Sequence, residues 1–460
     1  MKAHYRNRSR KLPARLKLTS LLLVALAATT SGTAMAGTCF EAPATFWNCT
    51  GAAGADASQN LNAGAGALTV TTSAPFGITT AVGNAFNLTA ATGINFTNTV
   101  PGAIITGDTS GIEAYNSGLG AITIDTTGAI VTGDNGFGIS ASNAATGTDI
   151  SITTGDVNGD IIGVLATNNG TGSVTIDTTA GNVFGVGSGI FGINNTGTDL
   201  TITTGFVNGG NIGIFADNSG TGATTIDTTA GSVTGNTNYG IFARNDGTDL
   251  TITTDQVIGG TYGILARNYG TGATVIDSSA GGVDGNGADG ILAYNAGTDL
   301  TITTLWVRAA NTGIVADNNG SGALFIDSVG GNFSYVRGTA GDGIYANNSA
   351  NGTSLTMLVG GTYGADDGVE AFNFGSGALS ITGGNRDITG TAGDGIYAYN
   401  SANGTSLTVT TNFVSATTGG NNGIDARNLG SGSITVDGAG NVTGTGNIGI
   451  YAYNSANGTD

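Results

Sequence analysis

Beyond residue 105 the chain alternates apolar and polar side chains in runs of four to six. Each run is rich in Ile, Val and Thr and is bounded by Gly and Asn. A period of two over such lengths means short β-strands. No stretch beyond the first 36 residues sustains a helical period, and all four prolines precede Gly102. The most regular run is the phrase Gly-Ile-x-Ala-x-Asn. It occurs fourteen times, at intervals of 23 to 30 residues, opening first at Gly111 and last at Gly449. A repeat of that length is one coil of a solenoid, which buries its apolar side only by stacking on its neighbours. After each phrase come a Gly/Asn turn and further alternating runs, such as Leu250-Thr251-Ile252-Thr253-Thr254 and Val275-Ile276-Asp277-Ser278-Ser279. Two or three short strands per coil predict an all-β fold, a right-handed parallel β-helix of about 23–30 residues per coil.

The phrase also predicts which way its side chains point. Position two is Ile or Val in every copy, and position four is Ala in thirteen, with Gly192 the exception. Position three varies freely. Successive side chains alternate faces, so the uniform positions are interior and the variable one exterior. The phrase ends in asparagine in all fourteen copies: Asn116, Asn143, Asn168, Asn194, Asn218, Asn245, Asn268, Asn295, Asn318, Asn348, Asn373, Asn400, Asn428 and Asn454. Stacked at about 4.8 Å, such a column is expected to form an amide ladder that satisfies a buried turn.

The third position carries the candidate binding feature. Phe191, Phe215, Phe242, Leu265, Leu292, Val315 and Tyr345 occupy consecutive coils. If exterior, they form an apolar band of about 30 Å, the kind of surface that marks a contact site. A reversed register, or covering loops, would instead make them core.

Composition narrows the chemistry. The first 36 residues hold seven cations, an apolar run at Leu21–Ala28 and Ala34-Met35-Ala36, the pattern of a secretory signal peptide that engages the Sec translocon. Past it, six arginines face 31 carboxylates, a net charge of −25. Such a body repels phosphate backbones and excludes nucleic acid as a partner. The one histidine, His4, and every lysine lie in the signal segment. That excludes His-dependent triads, HExxH metal sites, a lysine base and the GxxxxGK[ST] phosphate loop. Cys39 and Cys49 read as a disulfide in a cap at the blunt end, with Phe46 and Trp47 plugging the core.

Carboxylates remain. Asp366, Asp367 and Glu370 cluster in sequence, with Asp342 and Asp394 one coil to either side. Paired carboxylates serve glycoside hydrolysis, while the competing reading is solvated turn aspartates. Asp177, Asp227, Asp277 and Asp327 recur at 50-residue intervals, as do Asp149, Asp199, Asp249 and Asp299, the mark of a duplicated two-coil unit. They do not form calcium-binding nonapeptides, and they interrupt the outward Thr201/Thr203 and Thr251/Thr253 columns that an ice-binding face would need. No metal, cofactor or catalytic residue is expected.

Taken together, the signal segment, the cap and the Gly/Asn/Thr-rich coils resemble the passenger region of a Gram-negative autotransporter of the type V secretion class. The resemblance covers essentially the whole chain and rests on architecture and composition. It implies a β-helix displayed on the outer membrane or secreted, structural or adhesive, with a host or cell-surface glycan or protein as receptor. It also implies a C-terminal translocator barrel, which residues 1–460 do not contain. The last residues stand inside a repeat, so the coils are expected to continue. The domain reading is a signal peptide (1–36), a cap with irregular first coils (37–105) and β-helix repeats (106–460). A polysaccharide-degrading enzyme on the same fold and a purely structural stalk are the alternatives.

Overall fold

The computed structural model describes residues 37–41, 45–98, 100–330, 334–418, 421–438 and 440–459. The signal segment lies outside the described residues. Every named element is a β-strand. The strands wind into a right-handed parallel β-helix of about fifteen turns, the hand that twisted parallel strands favour.

One coil shows how the sequence builds it. Strand Ile241–Asn245 carries the repeated phrase, a turn leads to Leu250–Thr254, and a bend leads to Val257–Gly259. The next coil begins at Ile264–Asn268. Each strand pairs in parallel and in register with its counterpart one coil away, Ile241 with Ile264 and Asn245 with Asn268. The phrase strands form one sixteen-stranded sheet. The Leu-Thr-Ile and Val-x-Gly strands form the other two faces and merge where strands such as Thr274–Gly285 run through the bend.

Alternation sorts the residues as expected. Ile241, Ala243, Leu250, Ile252 and Val257 are fully buried, whereas Phe242 and Thr251 point outward. The Ala column lets the three faces close around the Ile, Leu and Val side chains. The opening glycine is needed where the chain corners: a Cβ on Gly240 would fall 2.5 Å from Val257 Cγ1 and 2.7 Å from the Gly263 carbonyl oxygen. No larger residue fits that approach.

Two coils precede the first recognisable phrase. Gln59–Asn62 and Phe86–Ala90 join the same sheet, with Phe86 and Leu88 at the heights that Ile112 and Ala114 hold one coil on. Their larger core residues Phe76, Phe86 and Phe96 pack ring against ring, which hides the repeat from sequence matching. At the blunt end Thr38–Glu41 and Phe46–Gly51 form an antiparallel hairpin in which Cys39 and Cys49 are cross-strand partners joined by a disulfide. Trp47 packs on the core beneath it, but Phe46 is exposed. Adjacent residues on one strand face opposite ways, so only one of the two can act as the plug.

Candidate functional site: the outer face of the sixteen-stranded sheet

The asparagine column lies inside this sheet. All of its members from Asn116 to Asn428 are fully buried, and Asn454 on the last described coil is partly so. Asn268 shows the bonding. Its Nδ2 donates to Asn295 Oδ1 at 3.3 Å and to the Gly272 and Ala273 carbonyls, while its Oδ1 accepts from Asn245 Nδ2 and from the Gly270 N–H, both at 3.1 Å. The same amide-to-amide step joins Asn116 to Asn143, Asn168 to Asn194, and each successive member from Asn218 to Asn454. At Asn143 and Asn194 the Nδ2 turns instead to the turn carbonyls. The column is therefore interior, closed to ligand, and occupied by holding turns.

A second interior polar column was not anticipated. Thr126, Thr154, Thr178, Thr204 and Ser278 are fully buried and link coil to coil, for instance Thr126 Oγ1 to Thr154 Oγ1 at 2.7 Å and Ser278 Oγ to Thr304 Oγ1 at 2.9 Å. The signal was present in the phase of the alternation, because Thr204 stands two residues beyond Ile202 and so shares its face.

Outside, the third-position residues are consecutive register partners from Phe191 to Tyr345. They point away from the core and are half-buried. The exception is Leu265, at 2 % exposure. This corrects the expectation of an unbroken band: a leucine set beside the larger Phe242 ring is overtopped by its surroundings. The phenylalanines form a stack, Phe191 on Phe215 at 4.1 Å and 8°, and Phe215 on Phe242 at 4.8 Å and 3°. Tyr239, which precedes the phrase glycine, leans on Phe242 and stacks on Tyr262. Leu292, Val315 and Tyr345 line a groove of about 390 Å³ with Arg267, Tyr269, Tyr294 and Asp317.

Past Tyr345 the same column turns to Glu370, Tyr397 and Asp425. The position before the phrase glycine turns to Asp289, Thr312, Asp342, Asp367 and Asp394. Carboxylate oxygens of Asp342, Asp367 and Glu370 lie within 4.8 Å of one another. Asp366 is exposed and, like Asp394, stands outside this trio. Burial pushes Asp367 up to about 8 against the pull of the Asp394 N–H, and Asp342, Glu370 and Asp366 raise it further. Burial likewise lifts Glu370 to about 7, with Asp342 and Asp366 adding to the shift, and raises Asp342.

The trio has the spacing of a divalent-cation site, yet its aspartates already have work in the fold. Asp342 Oδ1 accepts the Asp367 N–H at 3.0 Å, Asp367 accepts the Asp394 N–H, and Asp394 accepts the Asn422 N–H at 2.7 Å. The 50-residue aspartate columns act in the same way. Asp199 and Asp249 accept the N–H of Ala223 and Ala273 one coil on, and Asp177 and Asp227 hold their own turns through Thr179 and Thr229.

Comparison with known proteins adds no assignment: no protein family, curated protein or solved structure matches this chain.

Proposed function

We propose that this chain is an exported β-helical passenger, displayed on a Gram-negative cell surface or secreted. It is brought out through the Sec translocon and an outer-membrane translocator barrel, and serves a structural and adhesive role without catalysis. The observation that supports adhesion is the outward Phe191–Phe215–Phe242 stack, followed beyond the sunken Leu265 by the Leu292–Val315–Tyr345 groove. The outer edges of the stacked rings form a rigid apolar ridge that a glycan or protein receptor can pack against, at little cost in side-chain entropy. An apolar interior of stacked Ile, Leu and Val and a column of satisfied amides supply rigidity, which suits a long display surface.

The test is to replace Phe215 and Phe242 with Ser and measure binding of the purified protein to fixed epithelial cells and to immobilised xylohexaose and chitohexaose. Binding is expected to fall at least about tenfold with the far-ultraviolet spectrum unchanged. Undiminished binding would leave the stalk reading standing, and loss of the fold would make these rings core.

A second reading, glycan hydrolysis, draws on the Asp342–Asp367–Glu370 cluster beside Tyr345, in which burial raises all three carboxyls toward the range of a general acid. The backbone N–H bonds that engage Asp342 and Asp367 favour the structural role instead. Release of reducing ends from xylan or pectin by the purified protein, lost in Glu370→Gln, would reverse that preference.

A further inference from the structure

The Val-x-Gly face changes character over three coils. Arg308 and Arg337 are register partners on strands Leu300–Ala309 and Tyr335–Gly338, and both are exposed. Parallel strands put their backbones about 4.8 Å apart. Trp306 and Tyr335, the neighbouring outward pair, stack with ring centroids 6.2 Å apart and planes 13° apart. The indole lies flat over Gly282, where a Cβ would fall 1.9 Å from the ring. One coil on, Tyr363 follows Arg337 in register, and Arg386 packs its side chain over Gly361, the partner of Tyr335. Arg308, Tyr335, Arg337 and Tyr363 line a groove of about 740 Å³, with the Thr339 and Thr391 side chains beside them.

Three of the six arginines of the exported body thus gather on one patch of a chain that carries 31 carboxylates. Their pairing is unequal. Arg308 clamps Asp284 through Nε at 2.7 Å and Nη2 at 3.0 Å, and its guanidinium sits 4.8 Å over the Trp306 ring. It is held in place and neutralised. Among the described residues no carboxylate lies within 4.0 Å of the Arg337 guanidinium. An exposed guanidinium with no carboxylate partner keeps its five donors, in a planar fork, available to a carboxylate or sulfate.

We propose that this groove binds an anionic saccharide. Arg337 takes the acid group, the Tyr335 and Tyr363 rings take sugar faces, Thr391 offers its hydroxyl to a sugar hydroxyl, and Thr339, whose hydroxyl already donates to the Ala309 and Ala310 carbonyls, can accept from one. A nucleic-acid strand would lay a phosphate at every nucleotide against the acidic surface beyond this patch, whereas a short saccharide need place only one acid group, at Arg337. An extended peptide would need a free strand edge, and every strand in this patch is paired on both sides. The inference rests on the reading of this chain as a binding surface, but on different residues from the phenylalanine stack.

Titration calorimetry on the purified protein tests it, with hexagalacturonate as the carboxylated probe, a heparin-derived hexasaccharide as the sulfated one and xylohexaose as the neutral one. At least one anionic probe is expected to bind about tenfold or more above the neutral one. Arg337→Gln is expected to remove about tenfold in affinity at unchanged Tm, and Arg337→Lys to restore part of it. Whichever anionic probe binds more tightly identifies the acid group. Equal affinity in the wild type and Arg337→Gln, or equal affinity for xylohexaose, would overturn the proposal. So would loss of anionic binding in Phe215→Ser/Phe242→Ser but not in Arg337→Gln, an outcome that leaves the phenylalanine stack as the adhesive site. Absence of binding by every probe overturns the groove alone, since the stack has its own assay.

Discussion

The coils around Phe215 and those around Glu370 are built on one plan, yet they present opposite chemistry. Inside, they match: Ile214, Ala216 and Asn218 occupy the places that Val369, Ala371 and Asn373 hold six coils on, and all six residues are fully buried. Outside, one column runs Phe191, Phe215, Phe242 in the first region and Tyr345, Glu370, Tyr397 in the second. The position before the phrase glycine runs Tyr239, Tyr262 in one and Asp342, Asp367, Asp394 in the other. Solenoid stacking constrains the inward positions, because every coil must fit the one above and below. It leaves the outward ones free, so an aromatic band and an acidic band can share a sheet.

If the difference between the regions is confined to the outside, the interior must respond alike in both. Asn268→Ala and Asn373→Ala each strand buried partners on adjacent coils and are expected to cost about 3 kcal/mol apiece. Urea unfolding of the two variants compares them; a loss much larger in one region would show that the interiors differ after all.

The acidic region is expected to respond to pH more strongly than the aromatic one. The folded-state values of Asp367 and Glu370 are raised to about 8 and about 7, so the folded state holds protons that the unfolded chain releases near pH 4. The stability from this source is therefore full below about pH 4 and is lost as pH rises through 7 to 8. Hydrogen exchange between pH 5 and pH 9 should show faster opening of coils 342–400 at the upper end, and a smaller change in coils 190–245, where burial raises Asp217 against the pull of Arg244. Asp367→Asn keeps an oxygen for the Asp394 N–H and should flatten the dependence.

The smallest expected effect comes from making the two regions alike. Glu370→Tyr places a third ring between Tyr345 and Tyr397, repeating the phenylalanine arrangement, and should add about 1 kcal/mol at pH 8. A loss of stability there would mean that the carboxylate, not the ring stack, suits this position.

How much of this was legible in advance follows from periodicity. The repeated phrase exposes coil length, the inward Ile and Ala, and the asparagine ladder, because identical heights in stacked coils require identical solutions. The first two coils escaped because Phe86 and Leu88 solve the same packing problem with different residues. The hydroxyl column escaped because Thr204 reads as one more polar residue unless its phase is counted from Ile202. The carboxylate cluster was half visible: the sequence places five acids close along the chain, but only the register shows that Asp342, Asp367 and Glu370 converge while Asp366 faces solvent.

The sequence by itself determined the β-helix, because alternation and repeat length admit few other ways to bury the apolar side. What only the tertiary structure decided is what meets across coils. Leu265 sinks beside Phe242, the aspartates cap backbone N–H groups of the next turn, and Arg308 finds Asp284 while Arg337 is left with an aromatic groove. These outcomes depend on which residues 23 to 30 positions apart share a height. Variable coil length shifts that pairing without changing any local pattern, so it is settled by stacking rather than by the chain itself.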